Sequence, residues 1–408
     1  MPLTREENVF LTQVGPGTPG GELLRRYWLP VSVAAELTPE QPTKFVRVLG
    51  ENLVLFRDTT GRVGLLADRC SHRGASLCYG RVEERGISCP YHGWLYDTAG
   101  NILETPPERN EAIMRSVRQT SYPVQKFIGL YWAYFGPQPA PAIPKYDVWV
   151  RQDGRRRIVV QPRLDCNWLQ AMENSVDPAH LQILHQETAF RGRSPVNTTR
   201  GFTDEVEKFD FEVTPIGIMK RRLYTNGYLE VHPLIFPNIL RQGNATQIRV
   251  PIDDEHTMIF FIRFDPIETN GGAEFPSRGG FQGGAAHPGT EDDPPVEYVP
   301  SYKNPPDALH PYTRFRWDEV QAQDHMAWET QGPIADRSTE HLAYSDRGVV
   351  LLRKLLKENI EKVQRGEDPH GLIRDLDHAM IDTELSASLA EMRARRSPEP
   401  VAAGGAIR

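Results

Sequence analysis

Four things are scarce or missing in this sequence, and each absence closes a possibility. Four cysteines in 408 residues are too few for a disulfide-built scaffold. No run of 18 apolar residues occurs, so no membrane-spanning helix is expected. Basic residues are not in excess: the formal net charge is −7, which provides no electrostatic footprint for nucleic acid. Gly15-Pro16-Gly17-Thr18-Pro19-Gly20 matches Gly-x-Gly-x-x-Gly by its letters, but it lies in a proline-bearing turn cluster between two helical stretches and follows no strand, so no nicotinamide or flavin site is expected within the chain. The opening Met1-Pro2-Leu3-Thr4-Arg5-Glu6-Glu7-Asn8 lacks the apolar stretch of a signal peptide, and a cytoplasmic protein is the expectation. What remains, with 39% hydrophobic and 25% charged residues, is an ordinary globular composition long enough for two domains.

Two of the four cysteines stand in company. Cys70-Ser71-His72 is followed, after sixteen residues, by Cys89-Pro90-Tyr91-His92. Each segment offers one thiolate and one imidazole. Zinc fingers pair cysteine with cysteine and histidine with histidine along the chain, and the mixed order here favours a [2Fe–2S] cluster over structural zinc. The thiolates would hold one iron and the imidazoles the other, which raises the potential to roughly −150 to +300 mV. Such a centre hands on single electrons. Cys78 and Cys166 carry no motif; buried free thiols in a reducing cytoplasm are expected for them rather than a disulfide.

The remainder of the pattern divides the chain. Residues 1–40 read as N-terminal helices. Residues 41–140 contain short strands separated by Gly and Asp turns (44–49, 53–58, 87–88, 95–96, 129–135), a small β-domain presenting the two loops at one end. A proline-rich hinge, Gly136-Pro137-Gln138-Pro139-Ala140-Pro141, precedes a second domain over 141–408. There a strand at 157–162 leads into a helix over 164–174 capped by Asp165. A second sheet follows over 209–214, 218–225, 228–236, 246–253 and 256–265. Residues 269–306, rich in Gly, Pro and acid, read as a flexible surface insertion. Helices are expected over 314–331, 349–364 and 371–395, with a frayed tail from 398.

A second metal site is suggested by His180 and His185. Five residues on a regular helix turn 500°, which leaves the two side chains about 140° apart. Pro178 permits the break that would let them converge. Two histidines and one carboxylate with open positions suit non-haem Fe(II). Asp318, Asp324 and Asp336 are the candidates for the carboxylate. Asp324 lies inside the helical stretch 317–331, Asp336 stands beside Arg337 as an ion pair, and Asp318 reads as a cap or a solvated group. Asp177, three residues before His180, reads either as a helix cap or as the acceptor for the His180 ring N–H.

These segments resemble a known family. The run Cys70-Ser71-His72-Arg73-Gly74 … Cys89-Pro90-Tyr91-His92-Gly93-Trp94 is similar to the Rieske loops of ring-hydroxylating oxygenases. Glu173-Asn174-x-x-Asp177-x-x-His180-x₄-His185 resembles the iron signature of Rieske non-haem iron oxygenases. Gln323-Asp324, Gln331-Gly332-Pro333-Ile334-Ala335-Asp336-Arg337 and Glu340-His341-Leu342 look like the phthalate dioxygenase branch, where the acid at the Asp324 position is the third ligand. The resemblance implies an α+β protein: a small antiparallel Rieske domain and a helix-grip catalytic domain, in which an antiparallel sheet curls around a helix. It implies a [2Fe–2S] cluster, Fe(II), O₂ and a separate flavin or iron–sulfur reductase as electron donor. It also implies that Asp177 meets a cluster histidine, by analogy His92, of the next subunit in a ring-shaped homo-oligomer, a trimer or dimer of trimers. The implied reaction is hydroxylation or O-demethylation of an aromatic compound, an aromatic carboxylate or aryl ether. The rival readings are a pure electron carrier, which would need only the Rieske portion, and a zinc-bound binding protein.

Overall fold

The computed structural model describes residues 2–109, 112–185, 206–267, 292–299 and 320–384. At the start, Thr4 and Glu7 form a reciprocal capping box on the helix Arg5–Thr12, and Thr18 caps the short helix Pro19–Leu24. Both pack on the long helix Arg347–Gln364, one of the expected C-terminal helices. The N-terminal segment is not helical throughout. Trp28–Val33 is a strand that pairs with Leu130–Tyr134, which in turn pairs with Val124–Phe127. All six of its residues are buried, so it lacks the in–out alternation that marks a strand in sequence. Pro30 is tolerated because the strand lies at the sheet edge, beside a register shift.

Two further four-stranded antiparallel sheets carry the metal loops. One contains Thr43–Val48, Glu51–Arg57, Val63–Ala67 and Ser121–Tyr122; the other Arg81–Glu83, Gly86–Ser88, Leu95–Tyr96 and Ile102–Glu104. Between them Val54, Phe56, Leu66, Leu77, Ile87, Trp94 and Ile102 form a core that encloses Cys70 and Cys89.

The larger portion is built on an eight-stranded sheet. Its order is Val206–Thr214, Gly217–Tyr224, Leu229–Ile235, Ile239–Gln242, Ala245–Pro251, Thr257–Pro266, Gly154–Leu164 and Val296–Tyr298. The helix Trp168–Val176 is gripped by it, with eight of its nine residues buried. Asn167, not Asp165, caps this helix: its side chain accepts the Leu169 N–H. Cross-strand pairs share a face. Lys220 pairs with His232, Arg222 with Glu230, and Arg249 with Ile259; the register also links Leu234 to Leu240, Gln247 and Phe261. One face therefore carries Lys220, Arg222, Glu230, His232, Gln247 and Arg249. It looks toward the metal-binding segments, since Lys220 Nζ and Arg222 Nη1 donate to the carbonyls of Asp177 and Pro178 at 3.2 and 3.3 Å.

Three sequence expectations need correction. The strand Ile239–Gln242 was not anticipated, being only four residues long. Part of the 269–306 insertion is sheet: Val296–Tyr298 runs parallel to Ile158–Val160, anchored by the buried Val296. Residues 268–291 and 300–306 of it lie outside the described residues. The helix expected over 371–395 is not formed through residue 384, and the rest lies outside the described residues. Leu376 and Met380, whose spacing suggested an apolar face, are exposed. The segment is a strap instead, exchanging backbone hydrogen bonds with Ala142, Lys145 and Asp147. Likewise the helix expected over 314–331 is described only as Val320–Glu329. No described helix is long and apolar enough to cross a membrane.

The two portions are tied by backbone. Leu49 and Gly50, in the turn between Thr43–Val48 and Glu51–Arg57, donate to Pro251 and Ile252 at 2.9 Å each, beside an Arg47–Asp253 ion pair.

Candidate metal centres

The first centre is formed by two loops built alike. In each, the cysteine carbonyl accepts the N–H of a glycine four residues on, Gly74 at 2.8 Å and Gly93 at 3.0 Å. Both glycines have positive φ, 75° and 72°, a conformation other residues adopt only at a cost. The closed turns bring Cys70, His72, Cys89 and His92 to one end of the domain. The two imidazole rings lie 4.6 Å apart between centroids, and His72 stacks on Trp94 at 4.5 Å. His72 Nδ1 is buried with no hydrogen-bond partner in the protein. Two buried thiols, this unpartnered nitrogen and the adjacent His92 ring supply the two sulfurs and two imidazoles that suit a [2Fe–2S] cluster of mixed ligands.

Two residues around this centre gave no signal in the sequence. Gln119 pins the first loop through three bonds: Nε2 donates to the Ala67 and Arg69 carbonyls at 2.7 and 2.8 Å, and Oε1 accepts the Ser71 N–H at 2.9 Å. The Tyr96 hydroxyl sits 3.0 Å from both Cys70 Sγ and Ser71 Oγ. Cys78 is a free thiol that burial, reinforced by Asp68, pushes up to about 12. Little reactive thiolate is expected from a thiol so shifted. Cys166 is buried.

The second centre joins segments remote in sequence. The helix ends at Val176, and a new turn, His180–Ile183, begins three residues after Asp177. This break lets the His180 and His185 rings converge to 5.5 Å between centroids. Asp324, on the helix Val320–Glu329, completes the group: one ligand atom from each of the three lies within 4.8 Å of the others. Asp324 Oδ1 is 3.3 Å from His185 Nε2 and 3.8 Å from His180 Nε2. The other ring nitrogens are held from behind. His180 Nδ1 lies 3.2 Å from Asp177 Oδ2, and His185 Nδ1 lies 2.7 Å from Gln323 Oε1. Held in this way, both rings turn Nε2 toward Asp324, the side on which a shared ion would sit. Two imidazoles and a carboxylate fit a divalent iron with open positions. Burial opposes the ionisation of Asp324, yet the neighbouring imidazoles hold its carboxyl below the usual range.

Asp336 stands apart from this group. It is exposed and accepts from Ser338, while Arg337 pairs with Glu173 at 2.7 Å rather than with Asp336. Asp318 lies outside the described residues. Glu173 also takes Arg353 at 2.7 Å, which itself pairs with Glu340. This network fastens the helix Trp168–Val176, which leads into the His180 turn, to the C-terminal helix Arg347–Gln364.

Comparison with known proteins identifies the class. Residues 27–127 match the Rieske [2Fe-2S] domain, and residues 315–387 match the LigXa C-terminal domain like family. The chain is 36% identical to the 5,5'-dehydrodivanillate O-demethylase oxygenase subunit of Sphingobium sp., over 91% of this chain and 84% of that protein. This chain belongs to the Rieske non-haem iron oxygenases. Within that family it falls in the phthalate dioxygenase-like branch: it is 33% identical to the phthalate 4,5-dioxygenase oxygenase subunit of Pseudomonas putida, over 90% of this chain and 89% of that protein. The structure of Pseudomonas putida CBB5 NdmA shares the fold, with a TM-score of 0.56 at 22% identity over 88% of this chain and 98% of that one. A Rieske oxygenase carries a [2Fe–2S] cluster and a mononuclear non-haem iron, and this chain is a terminal oxygenase subunit. The relatives match across both portions, which a pure electron carrier or a zinc-bound binding protein does not explain.

Proposed function

We propose that this Rieske oxygenase inserts oxygen from O₂ into an aromatic carboxylate. Arg249 carries the reading. It is 1% exposed, on the sheet face that looks toward the metal-binding segments. Its guanidinium donates to the Gln247 carbonyl and to Gln247 Oε1, both at 2.9 Å, and lies 5.9 Å from the Trp328 ring, one helical turn beyond Asp324. Its Nε is buried without a partner, and the acid whose charge acts on it, Asp324, forms no ion pair with it among the described residues. Burial draws its pKa down to about 9. A buried guanidinium lacking its anion is completed by a substrate carboxylate, which it can grip through two hydrogen bonds. The relatives agree with this class: two of them are named for phthalate and phenoxybenzoate.

In this reading Cys70, His72, Cys89 and His92 hold the [2Fe–2S] cluster, and His180, His185 and Asp324 hold Fe(II). The loaded iron supplies open positions for O₂, activated by electrons that the cluster receives from a separate reductase. Asp177 fixes His180 and keeps a quarter of its side chain exposed, an edge for His92 of a neighbouring subunit in a homotrimer. Residues 1–40, 41–140 and 141–408 serve as N-terminal brace, Rieske domain and catalytic domain, in a cytoplasmic enzyme.

The test is O₂ consumption with a surrogate reductase, comparing aromatic acids with their neutral amides. The acids should exceed the amides by about 10–100-fold in kcat/KM, the range of a charge-assisted hydrogen bond. Arg249→Leu should erase that difference. Equal turnover of acids and amides by the natural enzyme would sink the carboxylate assignment. Formaldehyde among the products distinguishes O-demethylation from ring hydroxylation.

A further inference from the structure

We propose that Gln323 is the positioning residue of the iron site, fixing the tautomer and ring orientation of His185. With Asp324 it forms a consecutive pair that holds one imidazole from both sides. The proposal rests on His180, His185 and Asp324 being the iron ligands.

Gln323 is fully buried on the helix Val320–Glu329. Its amide oxygen lies 2.7 Å from His185 Nδ1 and can only accept, so Nδ1 carries the proton. Nε2 is left as a lone pair, 3.3 Å from Asp324 Oδ1 on the metal side. Neighbouring helical side chains diverge by 100°, and the His185 ring occupies the notch between these two. His180 is oriented by the same device with a charged acceptor in place of a neutral one: its Nδ1 faces the Asp177 carboxylate at 3.2 Å. A carboxylate at position 323 would place two acids side by side in a buried pocket. The neutral amide orients the ring without adding that charge.

The experiment strips the mononuclear site with a chelator, leaves the cluster in place, and titrates the protein anaerobically with Fe(II) or Co(II). Gln323→Leu should bind about 10–100-fold more weakly and alter the Co(II) ligand-field spectrum. Gln323→Glu, which keeps an acceptor, should return affinity to within a few-fold. Natural affinity and an unchanged spectrum in Gln323→Leu would overturn the proposal, because a packing role would move only thermal stability. His185→Ala separates the two levels: if it binds metal normally the ligand assignment fails, whereas loss there without loss in Gln323→Leu defeats the role of Gln323 alone. Should Gln323→Leu lose its cluster absorption, Gln323→Met against Gln323→Glu decides the matter. Weak binding in Met with recovery in Glu supports the role; equal affinity overturns it.

Discussion

The two metal centres of this chain are assembled in opposite ways. The cluster loops are local. Each turn closes on its own glycine, and the two are joined through a compact set of short strands. The mononuclear site draws His185 and the helix of Asp324 together across 138 residues of sequence, and only the packing of the catalytic portion holds them in register. A site made by turns survives the loosening of tertiary structure better than a site made by packing.

The sharpest way to separate the centres is to remove a cluster ligand. Cys89→Ser should abolish the visible absorption of the cluster and all turnover, while the chain still takes up one iron at the triad. Metal analysis should fall from about three irons per chain to about one, given the ligand sets of the two sites. Simultaneous loss of the triad iron would show the centres to be interdependent and break the contrast.

The opposite perturbation is Glu173→Gln, which leaves Arg337 and Arg353 without their shared carboxylate. Breaking a buried pair from one side costs about 3–5 kcal/mol, so the melting temperature should drop and the triad iron should leave before the cluster bleaches. The pH dependence follows from the same group. Burial opposes its ionisation, but Arg337 and Arg353 hold its carboxyl below the ordinary value of 4.5. Its stabilisation is complete above that value and is lost as pH falls through the lowered one. Denaturant titrations from pH 6 downward should show a steeper loss in the natural protein than in Glu173→Gln. Parallel curves would mean that Glu173 contributes nothing through its charge.

The gentlest change touches only the cluster's potential. Tyr96→Phe removes a hydroxyl 3.0 Å from Cys70 Sγ. Hydrogen bonds to cluster sulfurs stabilise the reduced, more negative state, so the midpoint potential should fall by tens of millivolts. An unchanged potential in spectroelectrochemical titration would show that this hydroxyl bonds Ser71 alone.

The same contrast explains what could be read from the residues alone. The cluster ligands were legible because their chemistry is written in consecutive letters and closed by glycines. His180 and His185 were legible as a pair because Pro178 marks the helix break. The carboxylate was open among three aspartates until the helix Val320–Glu329 brought Asp324, the proposed third ligand, to the histidines. Gln119, Tyr96 and Arg249 were invisible, since each acts on a partner distant in sequence and none sits in a repeating pattern. Trp28–Val33 escaped for a different reason: buried on both faces, it has no alternation to detect. The expected helix past residue 371 failed because apolar spacing does not reveal whether anything covers the apolar side.

The backbone hydrogen bonds from Leu49 and Gly50 to Pro251 and Ile252 bolt the electron store to the catalytic body. Among the described residues, that bracing holds the store in place beside the sheet instead of on a swinging arm. If the relay crosses to a neighbour, a solitary subunit is fully loaded yet idle, and diluting the enzyme switches it off without removing a single metal.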